Sequence, residues 1–458
     1  MRAILLTSLL CPVLVLAAPP SYEEQVRPIF KKHCLGCHNT DKRKADLDLS
    51  TYAGTLKGGS GGEVVKAGVP DSSWLVESII HADGVEPMPP KKPKIPAAEI
   101  AVIREWIQAG LIEVSGGESK LRKIAFDVAE ASSPRPEGEP AMPAGLAPVP
   151  PMEPSRPLAV TAIASSPWAP LVAVSGHEQV ILRHAATGET LGVLPFPEGT
   201  VTVLRFSANG SLLLAAGGVG AESGKAVLYD VRSGRRVAEI GDELDAVLAA
   251  DISADHRFVA LGGSARVVKV FDARNGKLLH RIEKHTDWIT SIAFAPDGEL
   301  FASGDRNGGI HVWGAGNGGI EYTLAEHKQR IADLAWRGDG KMLASGGEDG
   351  RLILWDMKDG FPAKVVDAHR GKSETRYTRR TGILALEWHR SGELVTAGRD
   401  RRIRYWSVEG NPGKQIQSLP SLPTAIALTT ADGNGVAGGF DGAVRAFSRD
   451  GLEQASPR

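Results

Sequence analysis

Ser345-Gly346-Gly347-Glu348-Asp349-Gly350-Arg351-Leu352-Ile353-Leu354-Trp355-Asp356 is the stretch that decides the fold of this 458-residue chain. Its closing strand, LILWD, has six counterparts: VILRH, VLYD, VKVFD, IHVWG, IRYWS and VRAFS. The seven strands end at His184, Asp230, Asp272, Gly314, Asp356, Ser407 and Ser448, with steps of 46, 42, 42, 42, 51 and 41 residues. A turn landmark precedes each of the last six: Asn209-Gly210, Asp255, Asp297-Gly298, Asp339-Gly340, Ser391-Gly392 and Asp432-Gly433. These are hairpin residues that tolerate positive φ. Between landmarks lie short apolar segments such as Ser291 to Ala295 and Leu300 to Ser303. A period near 42 residues means stacked repeats, each one supersecondary unit. Each unit is expected to be four short antiparallel strands, and 53 glycines suit the many turns this needs.

Seven such units resemble the WD40 β-propeller over residues 158–458. The resemblance implies a histidine–hydroxyl–aspartate–tryptophan network, which falls on His327, Ser345, Asp349 and Trp355, and on His369, Thr396, Asp400 and Trp406. The fourth unit offers His285, Ser303 and Trp313, with Asn307 where the aspartate is expected. Such buried networks stabilise only when every member is satisfied, so these histidines are read as structural. His285 to Trp313 and His327 to Trp355 each span 28 residues, whereas His369 to Trp406 spans 37. The insertion falls within Arg370 to Thr381 and carries Arg376, Arg379 and Arg380. With Arg399, Arg401 and Arg402 it is expected to form a basic patch on one rim, a docking site for an acidic partner or for an acidic face of the domain that precedes the repeats, or else simply a solvated loop. The ring is closed either by a short last strand, Leu452 to Ala455, or by Leu121 to Val128 from the other end; the second is preferred.

Outside the repeats, His33-Cys34-Leu35-Gly36-Cys37-His38 contains Cys-x-x-Cys-His, the attachment signature of a c-type haem. Thiols three residues apart sit on one helical turn and reach both vinyl groups of one porphyrin. The following imidazole, His38, binds the iron as proximal ligand. A zinc half-site needs a second ligand pair, and the only other cysteine is Cys11. A thioredoxin-like pair needs a βαβ context that is missing here.

The surrounding segment, residues 19–116, reads as a small all-α domain. Tyr22 to His33 forms an amphipathic helix with Val26, Ile29 and Phe30 on one face. Asp71 to Ile80 is a second helix, and Ala97 to Ala109, opened by Pro96 and closed by Gly110, is a third. Between the last two, Glu86-Pro87-Met88-Pro89-Pro90 is a stiff loop that presents a thioether. Met88 is the expected distal ligand and His81 its rival; His33 is expected to be solvated. Trp106 lies either at the haem edge or in the core. "VRPIFKKHCLGCHN" and "MPPKKPKIPAAEIAVIREWIQAG" make this segment resemble the planctomycete-type cytochrome c domain. The resemblance covers about 90 residues and implies one covalent haem c.

Residues 1–18 read as a secretory signal, with an apolar run from Ala3 to Leu16 followed by Ala17 and Ala18. Export to the periplasm or cell envelope is therefore expected, with no transmembrane span after cleavage. Residues 117–157 form a proline-rich linker, expected to be an extended tether. A net charge of −1 gives no field for nucleic acid. The resulting fold class is multidomain: a small all-α cytochrome c domain, then an all-β seven-bladed WD40 propeller. The function that fits is single-electron transfer through the haem, with the propeller as a scaffold for a redox partner. Two alternatives stay open: a propeller dehydrogenase that passes electrons to its own haem, and a haem-based redox or gas sensor. No Gly-x-Ser-x-Gly elbow, cofactor fingerprint or metal-ligand cluster marks an enzyme.

Overall fold

The computed structural model describes residues 19–115, 135–146, 157–370 and 381–452, apart from 68, 69, 71, 72, 83, 137, 417, 418 and 430–433. The chain divides into two compact units, Met1–Arg122 and Lys123–Arg458.

In the first unit, Tyr22–Val26 is a single π-helical turn that runs into helix α1 (Arg27–His33). Helix α2 (Tyr52–Lys57) was not anticipated; Thr51 caps it by accepting from the Gly54 N–H, and Gly58 ends it at φ 74°. Helix α3 (Trp74–Ile80) starts three residues later than expected, and α4 (Ala97–Gln108) matches the expected span. Tyr22, Val26, Phe30, Ile103, Trp106 and Ile107 form the core of this unit. Tyr22 organises it. Its ring packs on Phe30, Tyr52 and Trp106 at 5.6–6.1 Å between centroids, and its hydroxyl donates to the Leu49 carbonyl at 2.9 Å. Trp106 is wholly buried and donates Nε1–H to the Ile112 carbonyl at 2.9 Å. Of its two expected roles, core packing is the one the structure supports.

The second unit is a ring of seven four-stranded antiparallel sheets, each built from consecutive strands. Blades 1 to 7 span 163–195, 200–243, 247–282, 289–324, 331–367, 383–416 and 423–452. Within blade 5, Ala344 pairs with Leu354 and Leu343 with Trp355, the register that the opening stretch implies. Apolar layers between sheets, such as Ala302, Val312, Leu334 and Ile353, glue neighbouring blades. At four of the seven seams a threonine adds one bond. Thr161 donates to the Val201 carbonyl, and Thr202, Thr290 and Thr424 donate to those of Val247, Ile331 and Val160 at 2.5–2.6 Å.

Ring closure by Leu121 to Val128 falls outside the described residues. Among the described residues the outer strand of blade 7 is the chain's own Gly451–Leu452, paired with Ser448 and Phe447. Blade 7 then meets blade 1 through the Thr424 bond and through Val160, Ile163, Ala425 and Val436. The described part of the proline-rich segment is docked on the propeller. Ala141, Met142 and Leu146 pack on the blade 1–2 core, and Arg232 takes both the Glu139 carbonyl (2.6 Å) and the Ala144 N–H (2.8 Å). Leu146 sits in a socket that only glycines leave open: a Cβ on Gly192 or Gly234 would lie 2.3–2.4 Å from its methyl carbons. An unpacked tether was expected because proline gives no apolar periodicity to read.

Candidate functional site

The end of α1 delivers the Cys-x-x-Cys-His segment as a tight turn. The N–H groups of Cys37 and His38 both donate to the Cys34 carbonyl at 3.1 Å, which stacks the three side chains on one side. Asn39 then folds the chain back, its side-chain Oδ1 accepting from the N–H groups of Asp41 and Lys42 at 2.9 Å each. The returning strand of chain fixes His38. Leu49 N–H donates to the His38 carbonyl, and His38 Nδ1 donates to the Lys44 carbonyl at 3.0 Å. A carbonyl only accepts, so Nδ1 carries the proton and Nε2 keeps its lone pair, the form a metal-ligating imidazole takes.

Beside this turn lies a cavity of about 690 Å³. Cys34, Cys37, His38 and Met88 all line it, with apolar Leu47, Val64, Leu75, Ile79, Val85 and Ile95 around them. Burial pushes the Cys34 thiol up to about 11, so it stands as a neutral thiol. The volume and the apolar walls suit a large flat ligand. Two thiols, an imidazole with a free Nε2 and a thioether form the donor set that a c-type haem needs. The residues present therefore fit that group.

Of the other sequence candidates, His33 also lines the cavity and His81 does not. The His81 Nε2 bonds to the Met88 carbonyl at 3.2 Å. His33 is not solvated. Its ring is 19% exposed and bonds Glu99 of α4 at 2.7 Å, while Lys32 takes the other Glu99 oxygen at 2.8 Å. These two bonds hold α4 against the end of α1, 66 residues away in sequence, which no local pattern could reveal. Trp74, 53% exposed, lines the cavity and packs its ring over Gly61.

On the propeller, the two complete networks form as expected. Trp355 Nε1–H donates to Ser345 Oγ at 2.8 Å, His327 Nε2 meets the same oxygen at 2.8 Å, and His327 Nδ1 meets Asp349 at 3.0 Å. In blade 6 the bonds Trp406–Thr396, His369–Thr396 and His369–Asp400 measure 2.9, 2.8 and 2.8 Å. Blade 4 corrects the sequence reading. His285 bonds Ser303 at 2.6 Å and Asp305 at 3.0 Å, so the aspartate is present two residues before Asn307. Asn307 instead reaches Thr286 Oγ1 at the surface. Burial pushes Asp305, Asp349 and Asp400 up, but their histidine partners outweigh it, helped by backbone N–H donors at Asp305 and Asp349 and by the Arg404 guanidinium at Asp400, and all three are held below the usual carboxylate range. The side chains of all three histidines are wholly buried.

The expected basic patch is only partly described. Arg376, Arg379 and Arg380 lie outside the described residues. Arg399 is tied to Glu348 at 2.7 Å, and Arg330 approaches the same carboxylate at 3.5 Å. Arg401 is exposed and Arg402 half-buried.

The sequence reading missed a charged cluster in the central channel, a space of about 160 Å³ lined by the inner strands. Arg205 lies 3.6 Å from Asp333, with Asp251 and Glu387 within its electrostatic reach. The carboxylates staple blades: Asp251 accepts from Phe294 N–H, Asp333 from Leu386 N–H and Glu387 from Leu428 N–H, at 2.7–3.1 Å. With oxygens committed to neighbouring strands, the cluster reads as architecture.

Family comparisons agree with this division. Residues 34–92 match the model of the Planctomycete cytochrome C family. Residues 276–314, 318–356 and 371–407 match the WD domain, G-beta repeat. No curated protein matches the chain. The chain thus joins a segment similar to a planctomycete cytochrome c domain, which implies covalent haem c, to a seven-bladed propeller with WD40-type repeats. Each matched repeat begins before its blade: 276–314 takes in the last strand of blade 3 and three strands of blade 4. His285 therefore links the end of one sheet to the core of the next. Among the described residues no helix is long and apolar enough to cross a membrane.

Proposed function

We propose that this protein is an exported electron carrier that holds one haem c and presents it to a redox partner bound by the propeller. Cys34 and Cys37 carry the thioethers, His38 is the proximal ligand and Met88 the distal one. The observation that carries the reading is the common cavity: four donor side chains in apolar walls, with His38 Nδ1 already committed to the Lys44 carbonyl. When bound, the haem supplies an Fe(II)/Fe(III) couple. His38 and Met88 would hold its iron between apolar walls, which favours electron transfer over ligand chemistry. Anchoring of the Met88 loop to α3, through Met88 N–H to the Ser78 carbonyl at 3.0 Å, disfavours a gas sensor, which needs an open position. The propeller's role as a partner scaffold and the periplasmic or envelope location belong to the same proposal.

The test is purification of the mature protein from a host that attaches c-type haem. One porphyrin per chain surviving acid–acetone extraction, together with reversible one-electron reduction, supports it. A correctly exported chain with no covalent porphyrin overturns it. If the porphyrin is present, a ferrous form that binds carbon monoxide readily refutes Met88 ligation.

A further inference from the structure

We propose that His81 is a positioning residue for the Met88 thioether, its Nε2–H holding the methionine loop against the cavity wall. The inference rests on the assignment of Met88 as axial ligand and deepens it. Pro87, Pro89 and Pro90 have no N–H, so within 87–90 the only main-chain donor belongs to Met88. That donor goes to the Ser78 carbonyl of α3 at 3.0 Å. The Met88 carbonyl accepts from His81 Nε2 at 3.2 Å. Both main-chain polar groups of Met88 thus end on the terminus of one helix, one through the backbone and one through a side chain.

His81 is shaped for this task. It is the C-cap of α3 and sits at φ 56°, ψ 54°, in the left-handed region that non-glycine residues rarely occupy. Its ring does not line the cavity and reaches the loop instead. A glycine would satisfy the cap without strain but would leave the Met88 carbonyl without this donor.

The consequence is a contribution to the iron–sulfur bond. One hydrogen bond of ordinary strength corresponds to roughly a five-fold change in the equilibrium between bound and released thioether. The readout is competition. Imidazole titrated into the ferric full-length holoprotein displaces the methionine, and loss of the long-wavelength charge-transfer band follows it. In His81→Gly the apparent Kd for imidazole is expected to fall about five-fold. In His81→Gln, whose amide still reaches the carbonyl, it should stay close to the unsubstituted value. In Met88→Ala imidazole should bind much more tightly, and adding His81→Gly should change nothing further, because the coupling is lost with the ligand. If His81→Gly does not assemble with haem, His81→Asn replaces it, since asparagine tolerates the same backbone and is too short to reach. An unchanged affinity in His81→Gly, or an equal change in the Met88→Ala background, overturns the proposal. Met88→Ala binding imidazole no better than the unsubstituted protein sinks the ligand assignment itself, a separate failure.

Discussion

Asp305→Ala is predicted to be among the more damaging substitutions in the propeller, although the sequence puts Asn307 in the network position. The Asp305 and His285 side chains are 2% and 0% exposed. Removing the carboxylate strands three donors: His285 Nδ1–H at 3.0 Å and the backbone N–H groups of Asn307 and Gly309 at 2.9 Å each. A buried donor left without an acceptor costs about 1–3 kcal/mol. The two backbone groups are partly open to water and cost less, so the total is about 2–4 kcal/mol. For a domain of this size that lowers Tm by roughly 4–12 °C. Asn307→Ala loses one exposed side-chain bond to Thr286 and should cost under about 0.5 kcal/mol. Thermal unfolding of the holoprotein, followed by circular dichroism of the sheet, compares the two. Asp349→Ala in blade 5 is an internal standard, with His327 and the Lys328 and Arg351 N–H groups as its donors. If Asn307→Ala matches Asp349→Ala while Asp305→Ala is silent, the network has been misassigned. Asp305 also fixes a pH direction. Its folded value lies below the ordinary 3.8, so its stabilisation is complete above that value and is lost as pH falls through the folded one.

Met88→Ala should abolish the charge-transfer band of the ferric protein and lower the midpoint potential in a spectroelectrochemical titration. Glu387 behaves oppositely to Asp305: burial foremost raises it from 4.5 to about 7, with Arg205 and the Leu428 N–H pulling the other way. The folded state therefore holds this proton more tightly, and stability falls as pH rises between those values, by about 1–3 kcal/mol. Glu387→Gln should flatten that slope in denaturant titrations at several pH values; an unaltered slope rules Glu387 out as its source. Thr424→Val removes bonds to the carbonyls of Val160 and Gly438 and should cost about 1–2 kcal/mol, read as faster amide exchange at the blade 7–blade 1 seam.

The repeat count, the blade pattern and the Cys-x-x-Cys-His turn were legible because each is local: strand, turn and landmark recur within about 42 residues. Asp305 was misread because the spacing of the neighbouring blades was imposed on blade 4, whose turn, Asp305 to Gly309, loops back on its own aspartate. His33, Glu99 and the channel cluster were illegible for another reason. Their partners lie far along the chain or on different blades, and only the closed ring brings Arg205 to Asp333. Leu146 was hidden because a two-glycine socket has no periodicity.

Every described sheet of the propeller is a contiguous meander, so its hydrogen-bond partners lie close in sequence. Such local topology gives low contact order, which speeds folding. A chain emerging amino-terminus first can finish blade 1 before blade 2 exists and add sheets in turn, as linear repeat arrays do. Only the final join, Thr424 to Val160 across |i−j| = 264, must wait for the whole ring. Assembly is then sequential zippering with one late cyclisation event, and that event completes the channel around Arg205 and Asp333.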